Sequence, residues 1–125
     1  MLLFIDTSDQ QIVRLALINE GVIKHQFQTQ QLSESLIVEI KKFCQKQKIK
    51  LNQIKKIAVV VGPGGFSRIR TAVATANALA FGLNIPVIGL KLVNIPTDLK
   101  KLKILKGEKL VKPMYDHGPN ITFAK

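Results

Sequence analysis

The sequence predicts an α/β domain: one mixed β-sheet in the order β-β-β-α-β-α-β, with helices packed on it. Three observations carry that prediction. The first thirty residues alternate apolar runs with short polar turns, as an antiparallel meander does. The run IAVVV at 57–61 is β-branched with no polar alternation, so it is expected to be buried on both faces as a central strand. A glycine turn, GPGGF at 62–66, then leads into an alanine-rich helix and a further strand, the mark of a right-handed crossover.

Taken in order, LLFIDT (2–7) reads as a buried strand that ends in the polar turn TSDQ, and IVRLALI (12–18) as a second strand. Asn19, Glu20 and Gly21 form a hairpin turn, with glycine where positive φ is needed. VIKHQFQ (22–28) alternates, which suits a third, more exposed strand. Ser33 is the expected N-cap of the first helix, in which Leu36, Ile37, Ile40, Phe43 and Cys44 recur at helical spacing through about Lys48. Asn52 is expected to start a short turn before the central strand. The second helix is expected from Ser67 to about Phe81, closed by Gly82 at C′, and NIPVIGL (84–90) supplies the fifth strand. Residues 1–90 thus read as one lobe, and 91–125 as a lysine-rich bridge and extended tail with a turn at Gly107.

At 125 residues the chain has the length of a single domain. Its apolar runs are too short and mild to span a bilayer, and MLLFIDTS lacks the basic start of a signal peptide. The single cysteine, Cys44, suits a reducing compartment, so a cytoplasmic location is expected, with no membrane contact. The net charge of +11 is concentrated in two lysine clusters. Lys41, Lys42, Lys46, Lys48, Lys50, Lys55 and Lys56 form one, which contains no acid. Lys91, Lys100, Lys101, Lys103, Lys106, Lys109 and Lys112 form the other. Such charge favours polyanions, although no arginine or aromatic is interleaved for bidentate or stacking contacts. The reading alternates between a solvated face and contact with RNA or an acidic partner.

No catalytic constellation is legible. GPGGF lacks the lysine and Ser/Thr pair of a Walker A loop and does not fit G-x-G-x-x-G. Its glycines allow a tight strand-to-helix turn, so Gly62, Pro63, Gly64 and Phe66 are read as a structural loop, with anion or nucleotide contact at the following helix N-terminus as the alternative. Arg68 and Arg70 stand in the first helical turn, where cations oppose the dipole, and so point to a partner carboxylate or phosphate. Asp6, Thr7 and Ser8 read as a capped turn, since one carboxylate is too few for two-metal chemistry. His25 and His117 have no metal-ligand spacing, Ser33, Ser35 and Ser67 no triad context, and Cys44 lies on an apolar helix face. The expectation is no catalytic residue, no metal and no cofactor.

The second helix is unusual in being small on every side. TAVATANALA carries only Val73 and Leu79 as bulky apolar residues, which leaves one face for the sheet and another for a partner. Leu36, Ile40 and Phe43 on the first helix, with Ile69, Val73, Ala76, Asn77 and Ala80 on the second, are the expected partner interface. Side by side they would make one surface that two partner helices complete as a four-helix bundle. A chain lacking that partner is expected to homodimerise there.

DTS at the first strand end and VGPGGFSRIRTAVATANALAFGLNIPVIG together closely resemble the tRNA threonylcarbamoyladenosine biosynthesis (TsaB, or YeaZ) family. The residues that fit are Gly62, Pro63, Gly64, Phe66, Ser67, Arg70, Ala74, Ala76, Leu79, Ala80, Pro86 and Gly89. The ending VKPMYDHGPNIT is similar to the family's through Pro113, Tyr115, Pro119 and Thr122. Gly65 and Arg68 depart from the family's serine and glycine. The resemblance covers residues 1–90 and about 111–122 and implies an actin-like (ASKHA, RNase H-like) lobe. The bridge of about twenty residues stands where family members carry a second lobe. It further implies a non-catalytic scaffold that pairs through helices with a TsaD-like catalytic subunit, and works alongside a TsaE-like ATPase. That machinery transfers threonylcarbamoyl to adenosine 37 of tRNA. Lys100, Lys101 and Lys103 are then the candidate tRNA contacts. Two alternatives stand beside this reading: a basic RNA-binding accessory module, and a nucleotide-binding ASKHA fragment.

Overall fold

The computed structural model describes residues 1–9, 12–30, 35–63 and 66–91. Five strands are formed: β1 (Leu2–Asp6), β2 (Val13–Asn19), β3 (Val22–Thr29), β4 (Lys56–Gly62) and β5 (Val87–Lys91). Helix α1 (Leu36–Lys46) joins β3 to β4 and helix α2 (Phe66–Leu83) joins β4 to β5. A single 3₁₀ turn at Leu51–Gln53 precedes β4. The expected element order is the observed one.

The sheet runs β3-β2-β1-β4-β5. The first three strands are an antiparallel meander, and β4 and β5 add in parallel on the other side of β1. Glu20 (φ 53) and Gly21 (φ 77) turn β2 into β3 with two consecutive left-handed residues, the pattern of a type I′ hairpin. Residues Ile57 to Val61 of β4 are all buried, as the unbroken β-branched run requires of a strand with neighbours on both sides. β3, with one neighbour, alternates exposed and half-buried positions from Lys24 onward.

Both helices lie on one face of the sheet. Leu3, Ile5, Leu15, Leu17, Ile57 and Val59 project there and meet α1 and α2 in the main core. The Phe27 and Phe43 rings, 6.0 Å apart between centroids, pin α1 to the outer strand β3. On the opposite face Leu2, Ala16, Ile18, Ala58, Ile88 and Leu90 form a second, smaller buried cluster.

Two helix caps differ from expectation. Ser35, not Ser33, caps α1: its Oγ accepts from the Val38 N–H at 3.4 Å, while position 33 lies outside the described residues. Gly82 does not close α2. The helix continues through Leu83, and Asn84 (φ 56) takes the left-handed C′ position. There the Asn84 N–H donates to the Phe81 carbonyl at 3.2 Å and the Ile85 N–H to the Ala80 carbonyl at 2.9 Å. That pair of bonds is a Schellman closure, and asparagine tolerates the conformation well enough to displace the glycine two residues earlier. The expected bridge and tail from residue 92 on, with Gly107, His117 and the lysines there, lie outside the described residues.

Candidate partner-binding face

The end of the sheet where β1 and β4 finish is built from local hydrogen bonds. Asp6 Oδ1 accepts from the Ser8 backbone N–H at 2.9 Å and from Ser8 Oγ at 2.6 Å, which makes DTS a side-chain-capped turn. Thr7 Oγ1 donates to the Arg68 carbonyl at 3.0 Å, and Arg68 Nε donates back to the Thr7 carbonyl at 3.4 Å. The acceptor that the position of Arg68 demands is therefore a strand-end carbonyl. Gly62, with φ 130 at the end of β4, gives the backbone the turn into α2 that a side-chain-bearing residue would resist. Gly62–Pro63 is a cis peptide, Gly64 lies outside the described residues, and Phe66 opens α2. Among the described residues no three His, Cys, Asp or Glu side chains cluster to hold a metal ion.

The helix faces are arranged differently from the expected interface. Leu36, Ile40, Phe43, Ile69, Val73, Ala76 and Ala80 are all buried in the chain's own core, and Asn77 is half-buried. They cannot form a free apolar surface in this fold. The reason is the size of the α2 side chains. Ala72, Ala76 and Ala80, one above another at i, i+4 and i+8, let the helix sink onto β4, β1 and β5 until the inward stripe is sealed. Cys44 is buried in the same core, and its burial pushes the thiol pKa up, away from nucleophile chemistry.

What remains outside is the opposite stripe of α2: Ser67, Arg70, Thr71, Ala74 and Ala78, exposed, with Phe81 beside them near the helix end. Phe81 is 86% exposed, the most exposed large hydrophobic side chain among the described residues. It was not singled out from the sequence. The available signal was its position on the helical wheel, across from Ile69, Val73, Ala76 and Ala80. On α1 the outward residues are Lys41, Lys42, Gln45 and Lys46. Both helices run from the ends of their strands back to the starts of the next, so they lie parallel and offer one continuous outer surface. On α2 it offers small residues for close approach, one aromatic to bury and the exposed Arg70; on α1 it is basic.

Sheet order, crossovers and a paired helix layer on one face define the chain as an actin-like α/β lobe. Residues 19–95 match the family model of TsaD, tRNA N6-adenosine threonylcarbamoyltransferase, and the chain belongs to that family. Among solved structures it is similar to YeaZ from Pseudomonas aeruginosa, with a TM-score of 0.64 and 28% identity over 72% of this chain and 42% of the other. A second Pseudomonas aeruginosa structure, described as similar to peptidase YeaZ, gives a TM-score of 0.61 and 29% identity at the same coverages. The tRNA threonylcarbamoyladenosine biosynthesis protein TsaB of Buchnera aphidicola is 41% identical over 64 residues, 50% of this chain and 29% of that protein. A tRNA N6-adenosine threonylcarbamoyltransferase of Geotalea daltonii is 39% identical over 56 residues, 45% of this chain and 16% of that one. The chain thus spans under half the length of each of these relatives. Among the described residues no helix is long and apolar enough to cross a membrane.

Proposed function

We propose that the chain is a scaffold subunit of the tRNA N6-threonylcarbamoyladenosine modification machinery, and that the outer face of α2 docks a TsaD-like catalytic subunit. The family and the TsaB and YeaZ relatives support a place in that chemistry. One observation carries the docking surface: Phe81 stands 86% exposed at the end of a stripe of exposed small residues, on a helix whose other stripe is sealed. Burying such a ring is worth about 1.5–3 kcal/mol, and Ala74 and Ala78 beside it let a partner helix approach closely. In this reading the chain supplies no reacting group: the DTS carboxylate is held by Ser8, and Cys44 is buried.

The test is a pull-down with the TsaD-like protein of the same genome, comparing the native chain with Phe81→Glu and Ala78→Glu. The reading predicts capture by the native chain and its loss in both variants, with circular dichroism unchanged. A homodimer seen by light scattering in the absence of the partner, and abolished by the same variants, would belong to the same face.

A further inference from the structure

The end of the domain opposite the DTS turn carries a concentration of positive charge that docking through α2 does not use. Lys46 closes α1, Lys48 follows it, Lys50 precedes the 3₁₀ turn and Lys55 stands at the entry to β4; all four are exposed. The Lys55 N–H donates to the Met1 carbonyl at 2.8 Å, which fixes this segment to the start of β1. The chain between Ile40 and Ile57 contains no acidic residue, so no side chain within the segment cancels the charge. Glu20, in the β2–β3 turn, shares a groove of about 330 Å³ with Lys55 and Lys56 and is an acid that borders the patch.

Two features set this apart from an ordinary solvated end. A helix C-terminus welcomes a cation in its last turn, which Lys46 satisfies, but the dipole falls off within that turn and leaves Lys48, Lys50 and Lys55 unexplained. Lys48 also occupies the left-handed C′ position (φ 59), where its N–H bonds the Gln45 carbonyl at 2.9 Å and the next N–H, of Ile49, bonds the Cys44 carbonyl at 2.8 Å. Glycine is the residue that this position favours. A lysine there adds backbone strain that glycine would avoid, and it adds like-charge repulsion, which an external polyanion offsets.

We propose that this patch, with Lys46, Lys48, Lys50 and Lys55 at its centre, binds the phosphate backbone of RNA. The inference deepens the function proposed above and rests on it for the identity of the polyanion. Lysine ammoniums are point charges that follow phosphates without reading bases, which fits backbone contact. Ile49 and Leu51, the apolar residues between the lysines, pack against the core, so the patch has nothing to insert into a lipid layer.

The experiment measures binding of fluorescently labelled bulk tRNA to the full chain by anisotropy across a salt series. Lys48→Glu/Lys50→Glu is compared with Lys24→Glu/Lys91→Glu, which makes the same change in net charge elsewhere. The expected result is about a tenfold or greater loss of affinity for the patch pair, with the slope of log K against log salt reduced by about two. The control pair is expected to change affinity less than about threefold. Lys48→Gly should weaken tRNA binding while raising the melting temperature, which a purely structural lysine would not do. Equal losses in the two pairs, no tRNA binding by the native chain, or tighter binding to phosphatidylserine vesicles than to tRNA overturns the proposal. The patch variants are also passed through the partner pull-down. If they capture the TsaD-like subunit normally but bind tRNA like the native chain, the patch reading fails and the scaffold reading stands.

Discussion

Thr7 and Arg68 exchange hydrogen bonds across 61 residues of sequence, each donating from its side chain to the other's carbonyl, at 3.0 and 3.4 Å. The pair ties the tip of β1 to the first turn of α2. An arginine in that turn opposes the helix dipole, and the Thr7 carbonyl gives its guanidinium a local acceptor that offsets the penalty. Removing one donor with Thr7→Val is expected to destabilise the domain by about 1 kcal/mol, and Arg68→Ala by about 1–3 kcal/mol. Because the two bonds share one junction, the double variant should lose less than the sum, by about 0.5 kcal/mol or more. Urea denaturation of the four proteins measures this, and strict additivity would show that the two bonds act independently.

Ala76 and Ala78 sit two residues apart and should behave oppositely. Ala76 is fully buried against the sheet, so Ala76→Glu places an unpaired carboxylate in the core and is expected to cost several kcal/mol. That is a large share of a small domain's stability, and circular dichroism should report unfolding. Ala78 is exposed, and Ala78→Glu should leave the melting temperature within a few degrees of native.

Cys44 should alkylate slowly. Burial raises its thiol pKa, so less thiolate is present at any given pH than in the unfolded chain. Iodoacetamide labelling at pH 8 is expected to be at least about tenfold slower in buffer than in denaturant, since the reactive thiolate must be reached by opening. The linkage has a definite sign. The protonated thiol is favoured in the folded state, so this contribution to stability is complete below the unfolded pKa, about 8.5, and is lost as pH rises through the higher folded value.

Asn84 marks the true end of α2. Its φ of 56 suits glycine best, so Asn84→Gly should hold or raise stability by up to about 1 kcal/mol, while a β-branched Asn84→Val should lower it by at least about 1 kcal/mol. Thermal melts of the two variants decide it.

The strand and helix order was legible because period-2 and period-3.6 patterns in this chain are interrupted by unambiguous turns, such as Glu20-Gly21 and the glycine loop at Gly62. Helix ends were less so. Two serines, Ser33 and Ser35, stand before α1, and only backbone geometry chooses between them. Gly82 has the residue type of a C′ position, but a glycine is tolerated inside a helix and Asn84 can accept the left-handed turn. That the expected interface residues are core residues was hidden for a related reason. When both stripes of α2 are alanine-rich, composition cannot say that Ala76 meets the sheet while Ala78 meets solvent. Phe81 breaks that degeneracy, since a large ring left outside stands out only once the inward stripe is known to be full. The Arg68 acceptor was unreadable because a backbone carbonyl leaves no mark in a sequence.

Docking of a TsaD-like subunit on the outer stripe of α2, as proposed, is tested most directly by the affinity of that subunit for the native chain and for Phe81→Glu in titration calorimetry. The native chain is expected to bind, and Phe81→Glu to weaken binding by at least about 2 kcal/mol, the worth of one buried aromatic ring, with its far-ultraviolet circular dichroism unchanged. Native-like affinity in a folded Phe81→Glu variant would contradict it.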